Sequence, residues 1–433
     1  AELNKGELEM QSRYQEFSYA WRIVIASALG IGLGLSPIPI YTIGVFAAPL
    51  AEEFNWSIDK VFMALPVLTL CVLLLSPLMG LVVDRVGVRK CAIGSVIGFG
   101  LALMLHSFNQ GSFTQYLITW VIVAILGVGT LPITWTRVIN NWFSDCRGLA
   151  LGCSLVATGF FGIFAKFYVA YLIDAFGWRA AFVGLGLLPL LISLPVVYLF
   201  FRDTDDAALL EHQKPVNTSQ VASNGVPGYT ARQAFTDWRF WLMCLCFISI
   251  SFGVGGAIPN LENLFDSKGF DRGDAVALAS LIGVSVVFGR LGGGYLIDKY
   301  WAPGIAVVML VLPALSCYFL MQGNLSFATA AVSVLLIGLT AGAEQDLMAF
   351  LVARYFGMKS YGVIYGVLYS CFALGAGIGP WVLSRVYAST GTYDQILGYV
   401  GIAFVIGSLP LLLLGRYRDF TVQEKIPLVD TSR

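Results

Sequence analysis

Charge is scarce in this 433-residue sequence. Asp, Glu, Lys and Arg make up 12% of it, about half the share of an ordinary soluble domain. The 26 basic and 26 acidic side chains cancel, so nothing points to nucleic acid or to a strongly charged partner. Histidine is rarer still, with His106 and His212 as its two examples. No His/Cys group has metal-ligand spacing, and no HExxH, GxSxG or Walker motif occurs. A metal, a cofactor, a nucleophilic enzyme and ATP as a direct energy source are therefore not expected. The eight cysteines fall in apolar spans or in segments expected to face the cytoplasm, and read as free core residues rather than disulfides. The polar start, AELNKGELEMQSRYQ, lacks a signal-peptide pattern.

What is abundant is apolar sequence, at 58%. It runs in stretches long enough to cross a hydrocarbon core as helices, since lipid cannot satisfy a bare backbone. Twelve spans are predicted, at 22–50, 60–83, 91–108, 116–141, 148–173, 179–201, 238–264, 274–297, 303–322, 326–353, 361–387 and 395–415. The long polar break at 202–237 reads as a linker between two halves, 22–201 and 238–415, flanked by an N-terminal segment 1–21 and a tail 416–433. With both termini inside, 18 Lys/Arg fall on cytoplasmic segments and 5 on external ones. That asymmetry predicts a multi-pass protein of the plasma (cell inner) membrane with cytoplasmic termini.

The halves repeat weakly. Gly80-Leu-Val-Val-Asp84-Arg85 closes the second span and Gly294-Tyr-Leu-Ile-Asp298-Lys299 the eighth. Trp142-Phe143 precedes Gly148 and Gly152, as Tyr355-Phe356 precedes Gly362 and Gly366. Duplicated six-helix halves are a mark of alternating-access carriers with a midplane site.

The stretch GLVVDRVGVRK, with Gly80, Asp84, Arg85, Gly87, Arg89 and Lys90, resembles the loop motif of major-facilitator transporters. The resemblance implies an all-α membrane protein of twelve helices in two pseudo-symmetric six-helix bundles. In that family the aspartate and basic residues latch the cytoplasmic side of one half against the other. Here Asp84 is expected to cap a helix terminus or to pair with an arginine. The copy at Asp298 is degenerate, with Tyr300-Trp301 following. WFSDCRGLALG at 142–152 and GRLGGGYLID at 289–298 resemble the monocarboxylate-porter branch, which includes the oxalate/formate antiporter. In that branch a span-8 arginine binds the substrate carboxylate eight residues before the loop aspartate, the position of Arg290. Two departures stand out: Val286 where the lactate carriers have an aspartate, and Leu368 where the oxalate carrier has a lysine.

Ionisable groups inside spans are costly and usually face a cavity or a partner. Arg290 lies near the midplane, where its planar fork suits a carboxylate; a structural ion pair is the competing reading. Lys166 is read as a second anion site or as an outer gate with Glu262, against snorkelling to the surface. Arg137 shares a helical stripe with Thr130, Thr134 and Asn141, expected to line water, and its expected gating or coupling partner is Glu344 or Asp346. Tyr41, Trp135, Tyr369 and Trp381 are candidates to line the substrate cavity. Gly375, Gly377 and Gly379 suggest close helix packing. The function expected is secondary transport of a small organic anion, a monocarboxylate coupled to protons, by a monomer in the bilayer. Dicarboxylate exchange is the alternative, with a receptor or a channel behind it. A coupling proton would fall to Glu262, Glu344 or Asp346.

Overall fold

A computed structural model describes residues 2–202, 228–323, 325–418 and 420. Its first helix, α1 (Glu2–Gly32), carries the polar N-terminal segment straight into the first span. The helix breaks at 33–37, and α2 (Ile38–Phe54) completes the crossing. After α3 (Ile58–Phe62) come α4 (Ala64–Val86) and α5 (Val88–Met104). The fourth span is α6 (Phe113–Gly127), a 3-10 turn, and α7 (Pro132–Trp142). Next are α8 (Arg147–Leu155), α9 (Ala157–Leu188) and α10 (Leu194–Phe200). The second half holds α11 (Ala231–Thr236), α12 (Trp238–Ser267), α13 (Arg272–Lys299), α14 (Ala302–Leu320), α15 (Phe327–Phe356), α16 (Tyr361–Thr390) and α17 (Asp394–Ser408).

Among the described residues, ten stretches of helix are long and apolar enough to cross a membrane. One of them, Arg147–Phe200, is 54 residues long, and at 1.5 Å per residue that is far more than one bilayer needs. It turns back at Gly177, whose φ of 83° and ψ of 166° are outside helical space and suit a residue without Cβ. Counting it twice and adding the broken first span gives twelve, in two six-helix bundles.

Helix starts are fixed locally. Ser112, Asp271 and Ser326 accept the backbone N–H three residues on, and Thr230 with Gln233 forms a capping box. Such a cap contributes about 1 kcal/mol. Most of the expected linker, 203–227, lies outside the described residues. Its end is ordered, because Tyr229 donates its N–H to the Phe356 carbonyl before α11 begins. All eight cysteines are free.

The two bundles meet most closely at the end that carries the 80–90 loop, here called the motif end. A Cβ on Gly80 would lie 2.1 Å from the Gly362 carbonyl oxygen, and one on Gly148 would lie 2.4 Å from that of Gly294. Only residues without side chains let α4 approach α16, and α8 approach α13, this closely. About three turns further along the same faces of the second pair the close contact is gone. Gly159 on α9 and Gly283 on α13 have nothing within 4 Å of an added Cβ. The halves thus meet closely at the motif end and not at Gly159 and Gly283.

Candidate functional site

Closure at the motif end is built twice. Asp84, at the end of α4, accepts the backbone N–H of Gly362 and Val363, each at 3.2 Å. Asp298, at the end of α13, accepts those of Gly148 and Leu149 at 2.6 and 2.9 Å. Each carboxylate sits on the first turn of a helix of the other half, where free N–H groups and the helix dipole favour an anion. The degenerate second copy of the loop motif thus keeps its aspartate contact.

Arg137 is not where the sequence reading put it. It bonds Asp84, within its own half, and the ion pair of Asp346 is with Arg290. Its stripe does not line water either. Thr130 is buried, donates to the Gly127 carbonyl and accepts the Leu35 N–H across the break of the first span. The 3-10 turn at 128–130 and Pro132 take Thr130 off the helix that carries Arg137. Trp135 is likewise corrected. Its indole donates to the Thr130 carbonyl, packs on Phe201 and is fully buried inside the N-terminal bundle.

Three further contacts at this end were not foreseen. Tyr361, on the first turn of α16, donates to Thr136 Oγ1 at 3.0 Å and accepts from Asn140 Nδ2 at 3.2 Å, both on α7. Glu16 of α1 accepts the N–H groups of Ser144, Asp145 and Cys146, clamping the segment before α8. Arg89 reaches the Tyr198 carbonyl at 2.9 Å, while Arg85 and Lys90 are exposed.

Above the closed end lies a buried charged cluster. Arg290 Nη1 on α13 is 3.5 Å from Asp346 Oδ1 on α15, and the side chains are 6% and 2% exposed. The contact is an ion pair without a hydrogen bond. Nε and Nη1 of Arg290, both oxygens of Asp346 and Oε2 of Glu344 have no hydrogen-bond partner among the described residues. Tyr41 of α2 and Tyr365 and Tyr369 of α16 lie within the electrostatic reach of Arg290. Tyr361, Tyr365, Tyr369 and Phe372 stack in sequence along α16, with ring centroids 5.5, 6.0 and 5.6 Å apart. An aromatic wall therefore runs along α16 from the motif-end contacts of Tyr361 towards Arg290. A guanidinium with unused donors beside such a wall can take a planar anion.

Lys166 is exposed on α9. It is on the face of Gly152, fourteen residues along, which is about 21 Å of helix rise. Gly152 itself abuts the Arg290 backbone, so Lys166 does not belong to the Arg290 cluster. The side chain of Glu262, its proposed partner, lies outside the described residues. Trp381 is 67% exposed on α16. No group of His, Cys, Asp or Glu among the described residues could hold a metal.

A profile of the family described as Major Facilitator Superfamily matches residues 27–380, most of the chain. The protein belongs to this superfamily. It is an integral, multi-pass membrane transporter. Among its relatives are an uncharacterised MFS-type transporter, YhjX, of Escherichia coli strain K12, 24% identical over 78% of this chain and 81% of that one. The 4-hydroxybenzoate transporter PcaK of Pseudomonas putida is 22% identical over 92% of this chain and 93% of its own. Two solved structures share the fold. The transporter FucP in the outward conformation has a TM-score of 0.68 at 12% identity, covering 92% of this chain and 99% of that one. The human organic anion transporter MFSD10 has a TM-score of 0.70 at 18% identity, covering 91% and 99%.

Proposed function

We propose that this superfamily member carries a small monocarboxylate, taken at Arg290, together with a proton. It does so by alternating access across the plasma membrane, as a monomer with cytoplasmic termini. The motif end is then the cytoplasmic side, and the end towards which Gly159 and Gly283 lie faces outward. The observation that carries the reading is the buried guanidinium of Arg290, whose Nε and Nη1 donors are unused. A desolvated cation of this kind costs several kcal/mol unless an anion meets it well, and the 3.5 Å contact to Asp346 meets it loosely.

Tyr41 and Tyr369 supply flat apolar walls with polar tips, and Tyr365 adds a hydroxyl with no partner among the described residues. That surface suits an aromatic acid at least as well as a short aliphatic one, and the name of PcaK, a 4-hydroxybenzoate transporter, points the same way. Dicarboxylate exchange is less favoured because Lys166 lies about 21 Å along its helix from the Arg290 contact, beyond the span of a small diacid. Arg137, Asp84, Asp298 and Tyr361 serve as the inner gate.

The test is a thermal-shift panel on the purified protein with formate, lactate, oxalate, benzoate and 4-hydroxybenzoate. Stabilisation by monocarboxylates that saturates with concentration is expected. Stabilisation by oxalate alone, or by none of the five, would count against the reading.

A further inference from the structure

We propose that the second half carries, at its end away from the motif, a binding site for an organic ammonium ion with N–H donors. The site is separate from the Arg290 cluster, and its ligand has the opposite charge to the cargo proposed above. The inference does not rest on the reading of Arg290.

Two helices place it. A Cβ on Gly375 would lie 2.3 Å from the Ile248 carbonyl oxygen, and one on Gly379 would lie 2.4 Å from that of Phe252. Helices α12 and α16 therefore run side by side in the same direction. Since α16 begins at the motif end, both finish at the other. There they border a cavity of about 420 Å³, lined by Asn260, Asn263, Asp266, Ser267, Tyr387 and Tyr393. That is within the range of small-molecule sites, about 300–1,000 Å³. The first four side chains come from the last turns of α12, where Asn260 is held to its own helix by a 2.9 Å bond to the Gly256 carbonyl. Across from them, half-buried Tyr387 stacks on buried Tyr393, with ring centroids 4.3 Å apart and planes at 15°.

Charge decides what the cavity takes. Asp266 is the single ionised group of the six, and it forms no ion pair among the described residues. Lys268, two residues on, is already engaged: its Nζ donates to Asp394 Oδ1 at 2.6 Å and ties the end of α12 to the start of α17. The cavity thus joins a carboxylate without a cation, two carboxamides, a hydroxyl and a tyrosine pair. A carboxylate and an aromatic face both attract a cation. Carboxylate, carboxamide and hydroxyl oxygens all accept N–H bonds. A carboxylate ligand would be repelled by Asp266, so this is not a waiting place for the cargo. A bare metal ion needs oxygens packed around it at about 2.0–2.6 Å, and a cavity of this size is too wide for that. An ammonium group on a small organic body uses the charge, the acceptors and the ring together. All six residues belong to the second half, so occupancy does not exclude cargo at Arg290.

The test is titration calorimetry of the whole protein in lipid nanodiscs, with empty nanodiscs as the blank. The buffer is phosphate, because Tris is itself an ammonium ion. The probe is 2-phenylethylammonium. Tetramethylammonium keeps the charge without N–H donors, and 2-phenylethanol lacks the charge. Saturable binding of the probe is expected, with both comparison compounds weaker by at least about tenfold. Asp266→Asn should weaken the probe by about tenfold or more, and Tyr387→Leu by about threefold or more, in proteins that melt at the wild-type temperature. Should Tyr387→Leu melt lower, Asp266→Asn still decides, because Asp266 is exposed at a helix end. Saturating benzoate should leave the affinity for the probe unchanged. Absence of saturable binding, wild-type affinity in Asp266→Asn, or equal binding of either comparison compound would overturn the proposal. Displacement of the probe by benzoate would overturn it too, by merging the two sites. The probe is read without cargo, so failure of the Arg290 reading leaves this result standing.

Discussion

Asp84 and Gly362 lie on opposite halves of the chain, and the carboxylate of one accepts the backbone N–H of the other at 3.2 Å. The same carboxylate is held from its own side by Arg137. Arg137 therefore presents the anion to a helix N-terminus and is not itself the cross-half contact. Hydrogen bonds to a charged group contribute about 1.5–3 kcal/mol each. Asp84→Asn should thus shift the motif end towards its open form by roughly tenfold or more. Spin labels at the exposed residues Lys90 and Lys359, one on each half, would report it as longer distances.

Asp298 repeats the contact with Gly148 and Leu149. Asp298→Asn should act in the same direction, and the two changes together should exceed either alone, since they sit on separate helix pairs. An Asp298→Asn protein with an unchanged distance distribution would show that the second latch does not bear on closure.

The glycine contacts give a steric version of the same test. A methyl group on Gly148 would meet the Gly294 carbonyl at 2.4 Å. Gly148→Ala should prop the motif end apart without disturbing either bundle, because the contact lies between the halves. The label distances should lengthen while the melting temperature changes little.

The sequence made part of this end legible. Gly80 and Asp84 were legible through the resemblance of their loop to the family motif, while the contact of Asp298 with Gly148 was not foreseen from its degenerate copy. The partner of Arg137 was not legible in the same way. Periodicity placed it on a face with Thr130 and Thr134, but the 3-10 turn at 128–130 takes Thr130 off that helix, and the ion pair of Arg137 is with Asp84. Asp346 instead meets Arg290, on a different helix, and nothing in the spacing along α15 could choose between two arginines. Tyr361 and Glu16 were missed because each bonds a segment far away in sequence. The stacked tyrosines at 361, 365 and 369 carried a signal, a four-residue period on one helix face, that could have found the wall.

Arg137 and Asp84 should behave as one unit. Replacing both (Arg137→Ala with Asp84→Asn) should cost little more than the worse single change. Combining Arg137→Ala with Glu344→Gln should cost the sum of the two, as expected for residues without a shared partner. Transport rates of the five variants, normalised to folded protein, decide this.

At the opposite end, past the apolar run that ends at Leu50, Glu53 bonds Trp178 and accepts from Arg179 Nη1 at 2.6 Å. The Trp178 hydrogen bond first, and then Arg179, hold its carboxyl below the usual carboxylate range. A carboxylate with a lowered folded pKa stabilises above its unfolded value, and that contribution is lost as pH falls through the folded one. The melting temperature should therefore fall on acidification below about pH 4.5 by slightly more in the wild type than in Glu53→Gln. The difference should be small, because the pair is open to solvent.

Ligand binding to Arg290 variants tests the central claim most directly. Two charge-assisted hydrogen bonds to a carboxylate are together worth about 3–6 kcal/mol. A lysine keeps the charge but loses the planar fork. Titration calorimetry with benzoate and lactate, on protein confirmed as folded, should show Arg290→Lys weaker by about tenfold and Arg290→Ala weaker by about a hundredfold or more. Wild-type affinity in folded Arg290→Ala would contradict the account.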